Sequence, residues 1–134
     1  MSHAEEPRFT GGCLCGAVRY VATGAPLNVR VCHCRNCQKA TGSAFFVRAQ
    51  FPHAAVSVEG KTEKRFSSQE LARHFCPKCG TPLFAERAPD LFSIALGTLD
   101  DPAAIRPQVH IWVSRKVPWL VLSDGLPQYA EYAS

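Results

Sequence analysis

The chain has 134 residues, enough for one domain with a buried core, and its 46% hydrophobic and 19% charged composition is ordinary globular usage that argues against extended disorder. It holds no run of about 18 apolar residues, so no membrane-spanning helix is expected. The formal net charge of +4 comes without a dense Lys/Arg stripe, which leaves a nucleic-acid partner little compositional support.

Residues 1–8 read as a loose N-terminal segment before a single domain spanning 9–130. The first seven residues carry neither the basic n-region nor the apolar h-region of a secretion signal, so a reducing cytoplasm is the expected setting. A first strand is expected over 18–21, and a second where Leu27, Val29 and Val31 alternate with Asn28 and Arg30 before running into Cys32. A short helix is predicted over 36–41, which lacks β-branched residues before Thr41 and stops at Gly42. Further strands are predicted over 44–49, 55–59, 62–66, 72–75, 91–96, 109–113 and 119–122, most of them separated by Gly, Pro or Asp. This pattern gives an all-β fold of one or two antiparallel sheets with one short helix.

Seven cysteines dominate the chemistry. In a reducing compartment a disulfide framework is not expected, and an odd number would leave one thiol over, so metal binding leads. They fall in three clusters: Cys13 and Cys15 around Leu14; Cys32, Cys34 and Cys37; and Cys76 and Cys79 followed by Gly80. In an extended backbone residues i and i+2 point to one side, so a C-x-C pair can put both sulfurs on one ion, and C-x-x-C does the same by wrapping a turn. Pro77 and Gly80 give the third cluster the turn chemistry of a zinc knuckle.

Closed tetrahedral zinc takes four protein ligands, while a site kept open for chemistry takes three. The simplest partition therefore assigns Cys13, Cys15, Cys76 and Cys79 to a structural site and Cys32, Cys34 and Cys37 to an open one, two Zn²⁺ per chain. A zinc ribbon of Cys32, Cys37, Cys76 and Cys79, with Cys13 and Cys15 spare, fits the spacing as well. Seven thiolates and two Zn²⁺ together remove three positive charges from +4, leaving +1 and weakening the nucleic-acid reading further.

The histidines read as structural. His33 alternates to the face opposite Cys32 and Cys34 and is expected to pack or to support the site; His74 and His110 are expected to be hydrogen-bonded, and His3 and His53 to lie in loops. Trp112 and Trp119 are expected in the core.

Three stretches carry a family resemblance: Gly11-Gly12-Cys13-Leu14-Cys15-Gly16, Cys32-His33-Cys34-Arg35-Asn36-Cys37-Gln38-Lys39-Ala40-Thr41-Gly42 and Phe75-Cys76-Pro77-Lys78-Cys79-Gly80-Thr81-Pro82-Leu83. Together with His110-Ile111-Trp112 and Asp124-Gly125-Leu126-Pro127, they resemble the glutathione-dependent formaldehyde-activating enzyme family, which also takes in centromere protein V-like proteins. The resemblance implies an Mss4-like, β-tent fold and the same four-plus-three division of cysteines. It implies a carbon–sulfur lyase-type activity on the adduct of a small thiol, glutathione or similar, with formaldehyde or another aldehyde. Its centromere protein V-like branch implies the alternative of a non-catalytic zinc-stabilised scaffold. Lys39, Arg48 and Lys78 are the basic residues expected to meet a substrate carboxylate.

Overall fold

Burial alternates along some strands and runs unbroken along others. The computed structural model describes residues 6–133; His3 lies outside them. The strands are β1 (Arg8–Gly12), β2 (Arg19–Thr23), β3 (Asn28–Cys32), β4 (Phe46–Pro52), β5 (Val56–Glu59), β6 (Glu63–Ser68), β7 (Leu71–Phe75), β8 (Pro82–Arg87), β9 (Leu91–Ala95) and β10 (Val109–Ile111), with one α-helix, α1 (Arg35–Thr41). This is the mainly β fold expected. A three-stranded sheet runs β1-β2-β5 and a seven-stranded sheet runs β10-β3-β4-β9-β8-β7-β6. The pairing is antiparallel except for β10, which lies parallel to β3 and so departs from the purely antiparallel expectation.

Two strands escape the sequence pattern. In β1 the glycines hide the period, yet the site demands them: a Cβ at Gly11 would stand 2.4 Å from the Tyr20 hydroxyl oxygen, and one at Gly12 would stand 2.4 Å from the Val18 carbonyl oxygen. Strand β8 opens on Pro82 and closes on Glu86 and Arg87, and it contains no β-branched residue. Of the segment 1–8, residues 6–8 are described: the Pro7 carbonyl accepts from the Gly24 N–H at 2.7 Å, and Arg8 opens β1. The strand expected over 119–122 does not form. Trp119 and Val121 are 71% and 80% exposed, and it is Gln128 that bridges to His110. Trp119 is thus no core residue.

Register gives the large sheet two unlike faces. Val29, Ala49, Phe51, Phe84, Phe92 and Ile94 point to one side and pack with Tyr20 and Ala22 of the small sheet in the main core. Within it the Phe84 and Phe92 rings lie 4.4 Å apart, an aromatic pair worth about 1 kcal/mol beyond its buried area. The other face carries Cys32, Phe46, Arg48, Ser93, Ala85, Arg87 and Arg73, which the ladder sets side by side: Cys32 opposite Phe46, Arg48 opposite Ala95, Ala85 opposite Ser93, Arg73 opposite Ala85.

Candidate metal centre

The first and third cysteine clusters meet although more than sixty residues separate them. The Sγ atoms of Cys13, Cys15, Cys76 and Cys79 all lie within 4.8 Å of one another. Cys13 and Cys15 are brought together by a turn closed by the Gly16 N–H on the Cys13 carbonyl at 3.2 Å, not by the extended backbone that alternation suggests. The knuckle forms as its residues require: Gly80 takes φ 79°, its N–H bonds the Cys76 carbonyl at 2.8 Å, and Cys76 N–H bonds the Thr81 carbonyl at 3.0 Å.

The sulfur spacing is a test of fit. Zn–S bonds of about 2.3 Å in a tetrahedron put neighbouring sulfurs about 3.8 Å apart. Here Cys13 and Cys15 sulfurs stand 3.6 Å apart, and Cys15 and Cys76 sulfurs 3.8 Å. The Val18 N–H points at the Cys13 sulfur from 3.3 Å, and the Thr81 hydroxyl stands 3.1 Å from the Cys79 sulfur. That hydroxyl and the Thr81 N–H pull the Cys79 thiol down to about 5. Four thiols at this spacing, already solvated by N–H and O–H donors, suit a thiolate-binding cation.

The second cluster forms at the junction of β3 and α1. Cys32 ends the strand, Cys34 caps the helix with extended backbone (φ −67°, ψ 154°) and Cys37 sits one turn in; their sulfurs also lie within 4.8 Å of one another. Among the described residues no fourth His, Cys, Asp or Glu joins them. Cys32 and Cys37 thus stand in a group apart from Cys76 and Cys79, unlike the ribbon arrangement. The Cys34 sulfur accepts from the Cys37 N–H at 3.3 Å. Bonds from the Cys32 and Cys37 thiols, helped by the Cys37 and Asn36 N–H groups, hold Cys34 down to about 2, while the same sharing pushes Cys32 well above the thiol range.

A cleft of about 160 Å³ opens over these three sulfurs. Phe46, Ile111, Trp112 and Tyr132 supply its apolar side, and Ser67, Ser68, Ser93, Arg48, Arg73 and Arg87 its polar side. Trp112 takes a left-handed backbone (φ 57°, ψ 38°), an uncommon conformation for a bulky residue, and is held there by bonds from its N–H to the Glu131 carbonyl at 2.8 Å and from Val113 N–H to the Tyr129 carbonyl at 3.0 Å. Its ring meets Tyr132 edge-on at 5.4 Å. So Trp112 lines the cleft rather than the main core. Of the basic residues singled out from sequence, Arg48 lines the cleft, while Lys39 and Lys78 are exposed outside it. Arg73 and Arg87 were not legible, because only sheet order brings β7 and β8 to this face. Arg73 Nη2 stands 3.6 Å from the Cys37 sulfur.

Behind the cluster a polar chain fixes the junction. His33 is fully buried, its Nε2 lies 2.9 Å from His110 Nδ1, and His110 Nε2 lies 2.7 Å from Asp124 Oδ2. His33 therefore supports the strand from the side away from the sulfurs. His74 bonds Thr62 through Nδ1 at 2.8 Å, a structural role, and the exposed His53 pairs with Glu86 at 2.9 Å.

Fold and site together define a mainly β protein with two cysteine clusters at metal-ligand spacing, one of them facing a cleft. The chain belongs to the glutathione-dependent formaldehyde-activating enzyme family, whose sequence profile matches residues 8–115. It is also similar, at 32% identity over 78 residues, to an uncharacterized lyase of Schizosaccharomyces pombe. That match covers 58% of this chain and 57% of the relative, so the chain spans little more than half of that protein's length. Among the described residues no helix is long and apolar enough to cross a membrane.

Proposed function

We propose that the chain is a zinc-dependent carbon–sulfur lyase-type enzyme acting on the adduct of a small thiol, glutathione or similar, with formaldehyde or another aldehyde. The observation that carries this reading is the three-sulfur cluster at the floor of a cleft, without a fourth protein ligand among the described residues. Cys13, Cys15, Cys76 and Cys79 would hold a structural zinc, and Cys32, Cys34 and Cys37 the catalytic one. Bound there, zinc supplies a positive centre with one open position, suited to keeping an incoming thiol as thiolate. With zinc held by Cys32, Cys34 and Cys37 as thiolates, the site would carry a net −1, which would favour thiol exchange over strong activation of water.

The reaction joins R–SH and H₂C=O into R–S–CH₂OH: one carbon–sulfur bond forms, and the thiol proton ends on the former carbonyl oxygen. The chain's part is to position and to exclude. Phe46, Ile111, Trp112 and Tyr132 keep one side of the cleft apolar, which limits water at the new bond. Arg73 beside the Cys37 sulfur offsets part of the cluster's negative charge.

Cobalt substitution tests the reading. Adding glutathione to the Co²⁺-loaded protein is expected to shift its sulfur-to-metal charge-transfer bands, and Cys34→Ser is expected to abolish both that shift and formation of the hydroxymethyl adduct. Bands that no thiol perturbs would leave the scaffold reading in its place.

A further inference from the structure

Two of the three arginines of the cleft lack a carboxylate partner among the described residues. Arg48 and Arg73 have no Asp or Glu partner within 4.0 Å among the described residues, and Arg87 has only the exposed Glu70, at 3.8 Å. Arg48 has one side-chain partner, the Asn28 carbonyl oxygen at 3.4 Å; Arg73 donates to Ser67 at 3.1 Å and to the Cys37 sulfur.

The ladder makes the arrangement more costly still. Arg48 lies directly opposite Arg30 on β3, and Arg73 directly opposite Arg65 on β6; like charges facing each other across a strand pair destabilise it. Burial and Arg30 both depress the Arg48 guanidinium, although a guanidinium stays charged. A half-buried, unpaired cation repeated on one face is a debt that folding alone does not explain. An anionic ligand would settle it.

We propose that Arg48, Arg73 and Arg87 form an anion subsite of the cleft that holds the carboxylate end of the thiol substrate. This rests on the reading that the cleft binds a thiol. The charge agrees in sign: Arg48 and Arg73 bring guanidinium groups without carboxylate partners to the cleft, and Arg87 adds a third whose partner is an exposed glutamate. Neutral thiols such as 2-mercaptoethanol would meet the same sulfurs but leave the arginines uncompensated. Guanidinium suits carboxylate because its paired N–H groups match both oxygens at once.

The test separates the subsite from the thiol chemistry by using S-methylglutathione, which keeps both carboxylates and has no free thiol. Titration calorimetry on the zinc-loaded protein is expected to show it binding. Its diethyl ester is expected to bind at least about tenfold more weakly, and Arg48→Gln or Arg87→Gln to weaken the parent ligand by about tenfold each, with zinc content unchanged. Arg48→Lys, which keeps the charge and loses the fork, is expected to fall between. Equal binding of acid and ester, no binding of S-methylglutathione at millimolar concentration, or unaltered binding by both Gln variants would overturn the subsite. Should the Gln variants fail to fold, the acid and ester comparison on the parent protein decides alone. If 2-mercaptoethanol shifts the cobalt bands as strongly and at the same concentration as glutathione, thiol binding stands and the anion subsite falls. If S-methylglutathione binds through the arginines while glutathione leaves the bands unmoved, the subsite stands and thiolate ligation falls.

Discussion

Tyr20 shows how one side chain can fix the distance between strands. It is 2% exposed, its hydroxyl bonds Thr98 Oγ1 at 2.7 Å, and its ring occupies the space a side chain at Gly11 would need. Gly11→Ala is therefore expected to lose about 1–3 kcal/mol in urea unfolding, since neither the ring nor the Thr98 carbonyl at 2.5 Å can withdraw. Burial raises the Tyr20 phenol to about 12. A folded-state value above the unfolded one, about 10, means that the stabilisation is complete below pH 10 and declines as pH rises toward 12. Tyr20→Phe is expected to be less stable at neutral pH by about 1 kcal/mol, for the lost hydrogen bond, yet to show a smaller alkaline decline. Parallel pH profiles for the two proteins would contradict the assigned shift. None of this was legible in the sequence, where Gly11 and Gly12 merely diluted the strand pattern of β1.

At the scale of elements, α1 carries the second cysteine cluster and is held by Gln38. Its side-chain amide donates to the His33 carbonyl at 2.8 Å and the Arg115 carbonyl at 3.0 Å, so one buried group ties the helix both to the strand before it and to a turn 77 residues further on. Gln38→Leu strips both carbonyls of their donor, at about 1–3 kcal/mol each if they stay dry. The variant is expected to retain the metal of the four-cysteine group while losing that of the three-cysteine group faster to a chelator; equal loss from both would argue against this coupling. The helix itself was readable to within one residue from its composition and from Gly42, which closes it with φ 72°. The role of Gln38 was not, because its second partner is distant in sequence. The stretch 119–122 failed for the opposite reason: it has strand-like residues, Trp119, Val121 and Leu122 among them, but no neighbouring strand accepts it. Propensity without a partner does not make a sheet.

At the scale of the whole molecule, the large sheet has one face packed against the small sheet and one face open to the cleft. Packing against β1, β2 and β5 fills the first; the second is left to three cysteines, three arginines and an aromatic wall. Cysteine spacing marked three clusters in the sequence but left open which of them share a group, since the ribbon pairing fits the spacing as well; only the fold brings Cys13 and Cys15 beside Cys76 and Cys79. The arginines could not be found that way. Arg48, Arg73 and Arg87 come from β4, β7 and β8, and only the strand order β4-β9-β8-β7 makes them neighbours. The four-cysteine group ties the turn before β2 to the loop after β7, so its metal is expected to supply stability of order 10 kcal/mol, whereas the three-cysteine group is local to one strand and helix junction. Zinc counted by mass spectrometry alongside circular dichroism on freshly purified parent, Cys34→Ser and Cys76→Ser proteins tests this division most directly. Two ions are expected in the parent, one ion in a folded Cys34→Ser protein, and an unfolded Cys76→Ser protein; one ion in the parent, or equal unfolding of both variants, would contradict this division.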